Sequence, residues 1–313
     1  MLGYNPPARD IYVRIVIRRG CVVDDGKQVD SPFSVSVIIP THNRGHTLRR
    51  ALDSVLAQTR PPAEVIVVDD GSMDDTSRLV ADGYPAVRYL HQTHSGVSAA
   101  RNRGVAAAQG QWLALLDSDD EWLPHKLEAQ LDLVDRCPGH RLVHGNEIWI
   151  RRGRRVNPMI KHAKSGGWIY EKCLPRCVIS PSAVMVHCSL FDEVGVFDET
   201  LPVCEDYDLW LRICASHPVL YVVDPVIVKY GGHDDQLSAR YWGMDRFRIQ
   251  ALVNMLEGDG LTASQRQATM RMLADKIGIY MNGARKRDRQ EDVAFCQALL
   301  VRWGLQGLVD VKP

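Results

Sequence analysis

Between residues 35 and 120 short β-branched runs alternate with segments of helical periodicity, and two of those runs end in clusters of aspartate. A chain written this way has few options: the runs pair as a buried sheet, and the amphipathic segments cross over its faces. Residues 35–40 form the first run (Val35, Val37, Ile38, Ile39), with Pro40 expected to stop it. Thr41 and Asn43 are good N-cap types, and Leu48, Ala51, Leu52, Val55 and Leu56 then mark one apolar helix face. Residues 64–68 make the next strand, which runs into Asp69-Asp70-Gly71-Ser72, with Asp74, Asp75 and Thr76 to start a helix. A third strand is expected at 87–90. An alanine-rich helix follows over 97–108, ended by Gly110, and then a fourth strand at 112–116 leading into Asp117-Ser118-Asp119-Asp120.

The pattern loosens after residue 125. A helix is marked by Leu127, Leu131 and Val134, and strands are expected near 142–150, 182–187, 219–223 and 226–228. Leu209 to Cys214 reads as a helix, and from about 240 the periodicity is almost entirely helical. Residues 1–32 stand apart as an extension with one β-branched run and no visible chemistry. The expected division is therefore 1–32, an α/β domain over 33–240, and a helical region over 241–313.

Lys plus Arg and Asp plus Glu are both 38, so the whole chain offers no net attraction to nucleic acid or anionic lipid. Arg151-Arg152-Gly153-Arg154-Arg155 is short and isolated, and reads as a solvated turn between strands. No run of 18 apolar residues exists, and charges interrupt the first thirty residues, so neither a span nor a signal peptide is expected. The expected location is the cytoplasm, with peripheral attachment to the inner face of the membrane left open. The eight cysteines then stay reduced and serve as small buried hydrophobes.

The chemistry sits at the strand ends. Open α/β sheets bind ligands outside the carboxyl ends of their strands, which is where both aspartate clusters fall. Either cluster could simply turn the chain and cap a helix. Asp117 and Asp119, however, have the Asp-x-Asp form that can face one hard divalent cation, and three acids within four residues repel one another unless a cation sits among them. Such a cation could bridge a diphosphate. His233, in a glycine-rich loop, is the other candidate ligand. Glu205-Asp206-Tyr207-Asp208 precedes a helical segment, so its acids either favour the helix dipole or include a general base.

Taken together and in order, these segments resemble the family-2 glycosyltransferases. The residues that carry the resemblance are Ser36-Val-Ile-Ile-Pro-Thr-His-Asn43, Val67-Val-Asp-Asp-Gly-Ser72, Ala100-Arg-Asn-Arg-Gly104, Leu116-Asp-Ser-Asp-Asp120, Glu205-Asp-Tyr-Asp-Leu-Trp210 and His233-Asp-Asp-Gln-Leu-Ser238. The resemblance covers about 34–240. It implies a GT-A fold, a Rossmann-like nucleotide-binding half joined to an acceptor half, with the helical C-terminal region as an extension. It implies that Pro40, Thr41 and Asn43 line the nucleotide site, that Asp70 contacts the base, and that Arg101 faces the donor. Asp117 would lie near the sugar, Asp119 would be the principal metal ligand with His233 completing the shell, and Asp206 would be the catalytic base. The implied reaction inverts the anomeric centre of a nucleotide-diphosphate sugar, a UDP-sugar first, with Mg²⁺ or Mn²⁺. A glycan, a lipid-linked glycan or a protein would be the acceptor, and nucleic acid would not be a partner. A two-metal phosphoryl hydrolase or nuclease, or a silent GT-A-like scaffold, are the rival readings. Trp210 could stack on a sugar or belong to the core.

Overall fold

The computed structural model describes residues 33–157, 159–232 and 241–308. The expected extension 1–32 and the segment carrying His233 lie outside the described residues. The strands are β1 (Val35–Thr41), β2 (Glu64–Asp69), β3 (Arg88–His91), β4 (Trp112–Leu115), β5 (Glu121–Trp122), β6 (Leu142–Arg151), β7 (Arg154–Val156), β8 (Val184–His187) and β9 (Leu220–Gly231). They form one sheet in the order β3-β2-β1-β4-β8-β6-β9-β5, with β7 paired to β6.

The first half is parallel. The chain leaves β1, crosses through helix α1 (Gly45–Leu56) to β2, through α2 (Thr76–Gly83) to β3, and through α3 (Val97–Ala107) to β4. Because β4 returns to the far side of β1, the strand order reverses between them. That reversal opens a crevice at the carboxyl ends of β1 and β4, the general ligand position of such sheets. β8 then pairs antiparallel to β4, β6 antiparallel to β8, and β9 parallel to β6.

Three local expectations are corrected. Pro40 does not stop β1, which continues to Thr41. Ile38 turns its carbonyl to β4, where the Leu116 amide donates to it, and Pro40 shares that parity. The β1–β4 ladder ends at Ile38 and Leu115, so the missing proline N–H falls where no partner strand remains. Gly110 does not end α3, whose C-cap is Ala108. Gly110 instead lets the backbone close on β1: an added Cβ would stand 2.6 Å from the Ser36 nitrogen. The two strands expected over 219–228 are one strand, β9, with register shifts at Gly145/Asn146 and Asn146/Glu147 of its partner.

The sheet is covered on both faces. One core joins Val37, Ile39, Leu48, Leu52, Trp122 and Leu127 under α1 and α4 (Lys126–Arg136). On the other face, Ile38, Leu113 and Leu115 meet α7 (Glu205–Ser216). The helices α8 (Asp245–Glu257), α9 (Ala263–Arg285) and α10 (Gln290–Arg302) contribute Leu252, Ile277 and Leu299 to this same core. Tyr170, in the short helix α5 (Tyr170–Cys173), shares a 2.7 Å hydrogen bond with Thr269 of α9. Trp210 is buried edge-on to Phe197, which settles it as core.

Candidate active site

The loops after β1 and β2 are sewn together. Neither Thr41 nor Asn43 caps α1, and no side chain of its own N-cap, Arg44, does so. Asp74 does it from the neighbouring loop, with Oδ2 accepting from the Gly45 amide at 3.0 Å. Asn43 has φ +53°, an αL conformation that Asn tolerates. Its amide donates to Ser72 Oγ at 2.8 Å and its Oδ1 accepts from the Met73 amide at 2.8 Å. Thr41 is buried, and its hydroxyl has no partner among the described residues.

Asp70 is buried and occupied. Its carboxylate accepts from the Ser95 and Gly96 amides and from Gln92 Nε2, all at 2.8 Å, so it holds the loop that begins α3. His94 Nδ1 lies 2.8 Å from Asp70 Oδ2, and its ring stacks on His42 at 4.1 Å. Among the described residues, His42, Asp70 and His94 form a group of ligand atoms close enough for a metal, away from the expected position at Asp119.

At the end of β4 each aspartate has its own partner within the protein. Asp117 accepts from Arg101 Nη2 at 2.7 Å, and Asp119 pairs with Arg44. Asp120 is buried, accepting from Ser182 Oγ at 2.6 Å and from the Tyr230 amide at 3.0 Å. Burial pushes its pKa up to about 8, with Lys229 pulling the other way. Arg101 and Arg44 therefore offset charge at Asp117 and Asp119, and the Ser182 hydroxyl and the Tyr230 amide satisfy Asp120.

Arg101 decides the geometry. It rises from α3, is itself buried, and reaches Glu205 Oε1 with Nη1 at 2.5 Å while holding Asp117 with Nη2. Burial opposes its charge, but Asp117 and Glu205 outweigh that and raise its pKa. One planar guanidinium thus brings the carboxyl end of β4 to the first turn of α7. Glu205, Asp206 and Asp208 lie within that first turn, and the N-cap is Cys204 at φ +65°. Next to Glu205, Asp206 accepts from the Tyr207 amide at 2.7 Å through Oδ1. The Cys177 thiol lies 3.1 Å from Asp206 Oδ2 and 3.1 Å from the Ile179 carbonyl. Burial, then Asp206, pushes that thiol far up, so it stays protonated and can donate.

Sequence reasoning missed several of these groups. Arg44, Arg50 and Arg152 line a cavity of about 250 Å³ beside Asp119. Lys229 is opposed by burial but raised by Glu147, Asp120 and Asp117. A lone lysine inside the apolar run 226–230 was the one available signal. Arg44 follows a recognised motif with nothing to mark it.

The sheet, parallel in its first half and mixed beyond β4, has the architecture of the GT-A glycosyltransferases. Residues 36–192 match the family described as Glycosyl transferase family 2, and the chain belongs to that family. An uncharacterized glycosyltransferase of Rickettsia prowazekii is 31% identical over 217 residues, 68% of each chain. The UDP-Glc:alpha-D-GlcNAc-diphosphoundecaprenol beta-1,3-glucosyltransferase WfgD of Escherichia coli is 32% identical over 189 residues, 60% of this chain and 72% of that one. The chain spans about a third of the length of other curated relatives, such as 35% of one from Rickettsia conorii. In fold it is similar to TarS of S. aureus, solved with UDP-GlcNAc, at a TM-score of 0.67 and 18% identity, covering 88% of this chain and 84% of that one. No helix among the described residues is long and apolar enough to cross a membrane.

Proposed function

We propose that this chain moves a sugar from a nucleoside-diphosphate donor, a UDP-sugar first, to an acceptor hydroxyl with inversion, and that Asp206 is the general base. The observation that carries this reading is the Asp117–Arg101–Glu205 bridge, which sets the start of α7 against the strand-end aspartates. That bridge would let a leaving diphosphate and an incoming hydroxyl meet, the proximity that group transfer needs. The UDP-GlcNAc complex of TarS and the UDP-Glc donor for which WfgD is named support a UDP-sugar. WfgD also supports a glycan acceptor, lipid-linked among the alternatives.

In this reading Pro40, Thr41 and Asn43 shape the nucleotide site, and the unpartnered Thr41 hydroxyl is one atom a nucleotide could satisfy. Asp70 acts by holding the base-side loop, and Arg101 by holding Asp117 toward the sugar. Arg44 and Arg50, on the cavity beside Asp119, meet the diphosphate's charge. The residues also fit a divalent cation: Asp117 and Asp119 keep 29% and 17% of their side chains exposed, and oxygen donors suit Mg²⁺ or Mn²⁺. His233 is proposed as a further ligand on the family resemblance alone. A bound cation would supply charge stabilisation to the departing diphosphate. Asp206 takes the hydroxyl proton as the new bond forms, while the Tyr207 amide and the Cys177 thiol hold its carboxylate in place.

Two variants test this reading. Asp206→Asn is expected to bind UDP with Mn²⁺ as the native protein does, while UDP release from UDP-sugars falls by about 10²–10⁴. Near-native turnover would assign the proton to another group. Asp119→Ala is expected to abolish the Mn²⁺ dependence of UDP affinity in calorimetry, and an unchanged dependence would remove Asp119 from the metal role.

A further inference from the structure

Between Arg151 and Arg176 the chain carries eight lysines and arginines and a single acid, Glu171, although the molecule as a whole is neutral. The segment opens with the β6–β7 hairpin, whose two-residue turn, Arg152-Gly153, has both φ angles positive. Arg151, Arg152, Arg154, Arg155, Lys161 and Lys172 are all exposed, and none of them is in an ion pair among the described residues. Among these cations stand the apolar side chains Ile160, 94% exposed, Trp168, 69% exposed, and Met159, 58% exposed. Large apolar side chains without a cover mark a contact surface when they come together with one sign of charge.

The segment is fastened to the body of the protein. The Arg176 side chain donates to the Lys161 carbonyl, and the Trp149 ring lies 5.2 Å from that of His162. Lys172 Nζ donates to Ser165 Oγ at 2.8 Å, and Gly167 bridges to Val219. These contacts fix the backbone around His162 and Gly167 against β6 and the residue before β9.

We infer that this surface docks the protein onto an anionic phospholipid membrane. Exposed lysine and arginine draw such a surface in, and Trp, Ile and Met enter the headgroup boundary. RNA would meet the same charge, but it offers no apolar layer for Ile160 and Met159, so lipid is the better match. The placement has a consequence for transfer. Arg152 and Gly153 line the cavity beside Asp119, and Cys177, the residue after Arg176, touches Asp206. A membrane under this surface therefore lies along the cleft, where a lipid-linked hydroxyl would arrive. That last step rests on the proposed function, whereas the docking itself does not.

The test is sedimentation of the full chain with vesicles of phosphatidylcholine alone and of phosphatidylcholine mixed with phosphatidylglycerol, without donor. The expected result is roughly tenfold stronger partition onto the anionic vesicles, lost in high salt. The charge reversal R154E/R155E/K161E is expected to remove that gain. I160S/W168S should weaken partition several-fold and keep its salt dependence. K286E/R287E, in the basic turn between α9 and α10, should leave partition unchanged. Quenching of tryptophan emission by brominated lipid, reduced in W168F, gives the same answer if the charge reversal prevents folding. Equal partition onto both vesicles, dependence on Lys286 and Arg287, or tighter binding to RNA than to anionic vesicles would overturn the proposal. D206N should bind vesicles normally, so failed transfer and failed docking remain separate results.

Discussion

Arg101 shows most directly how one side chain shapes this site. It is buried between two acids, and burial pushes Glu205 up to about 7 even with the guanidinium beside it. Arg101→Met would strand Glu205 without a partner and is expected to cost about 3–5 kcal/mol in urea unfolding. Adding Glu205→Gln should recover part of that loss, because the remaining group then carries no charge. Additive losses would mean that the pair is not coupled as the geometry requires. The motif Ala100-Arg101-Asn102 was visible in the sequence, but its work was not, because Glu205 lies 104 residues away. Arg44 was invisible for the same reason, and Lys229 showed only as a lone cation in an apolar run: a cation acquires a role only from the acids the fold brings to it.

At the scale of elements, close approach governs the crossovers. A Cβ added at Gly104 of α3 would stand 2.3 Å from Ile38 Cγ2 of β1. Gly104→Ala is therefore expected to cost about 1–3 kcal/mol through overpacking. Gly83, also helical, has nothing within 4 Å, and Gly83→Ala should be neutral or gain up to about 1 kcal/mol. Thermal midpoints of the two variants that move together would refute the packing account. The element order was legible because period-2 and period-3.6 patterns are local properties. The exceptions were Pro40 and Gly110, whose settings depend on where a neighbouring strand ends or approaches.

For the molecule as a whole, buried titratable groups tie stability to pH. His144 is fully buried and donates through Nε2 to the Ser165 carbonyl at 3.0 Å, so the proton sits on that nitrogen. Burial, then Lys164, holds its pKa down at about 3, against 6.5 when unfolded. The unfolded chain thus binds the extra proton first as pH falls below 6.5, and stability drops until the folded form can bind it too near pH 3. Glu147 acts in the same direction between 4.5 and about 2, its charge opposed by burial and held by Lys164. His144→Gln should flatten the native decline between pH 7 and pH 4 by at most on the order of 3 kcal/mol. Urea titrations at the two pH values read this directly, and an unchanged slope would show that His144 does not carry it.

From the sequence alone came the α/β alternation, the strand ends that bear carboxylates, and the family these motifs belong to. Each depends on residues near one another in the chain, where periodicity and turn chemistry operate. Tertiary structure alone decided which acids meet which cations, that Asp74 caps a helix it does not belong to, and that the last three helices share the core of α7. These outcomes depend on distances between residues far apart in sequence, and only the closed sheet brings such residues together.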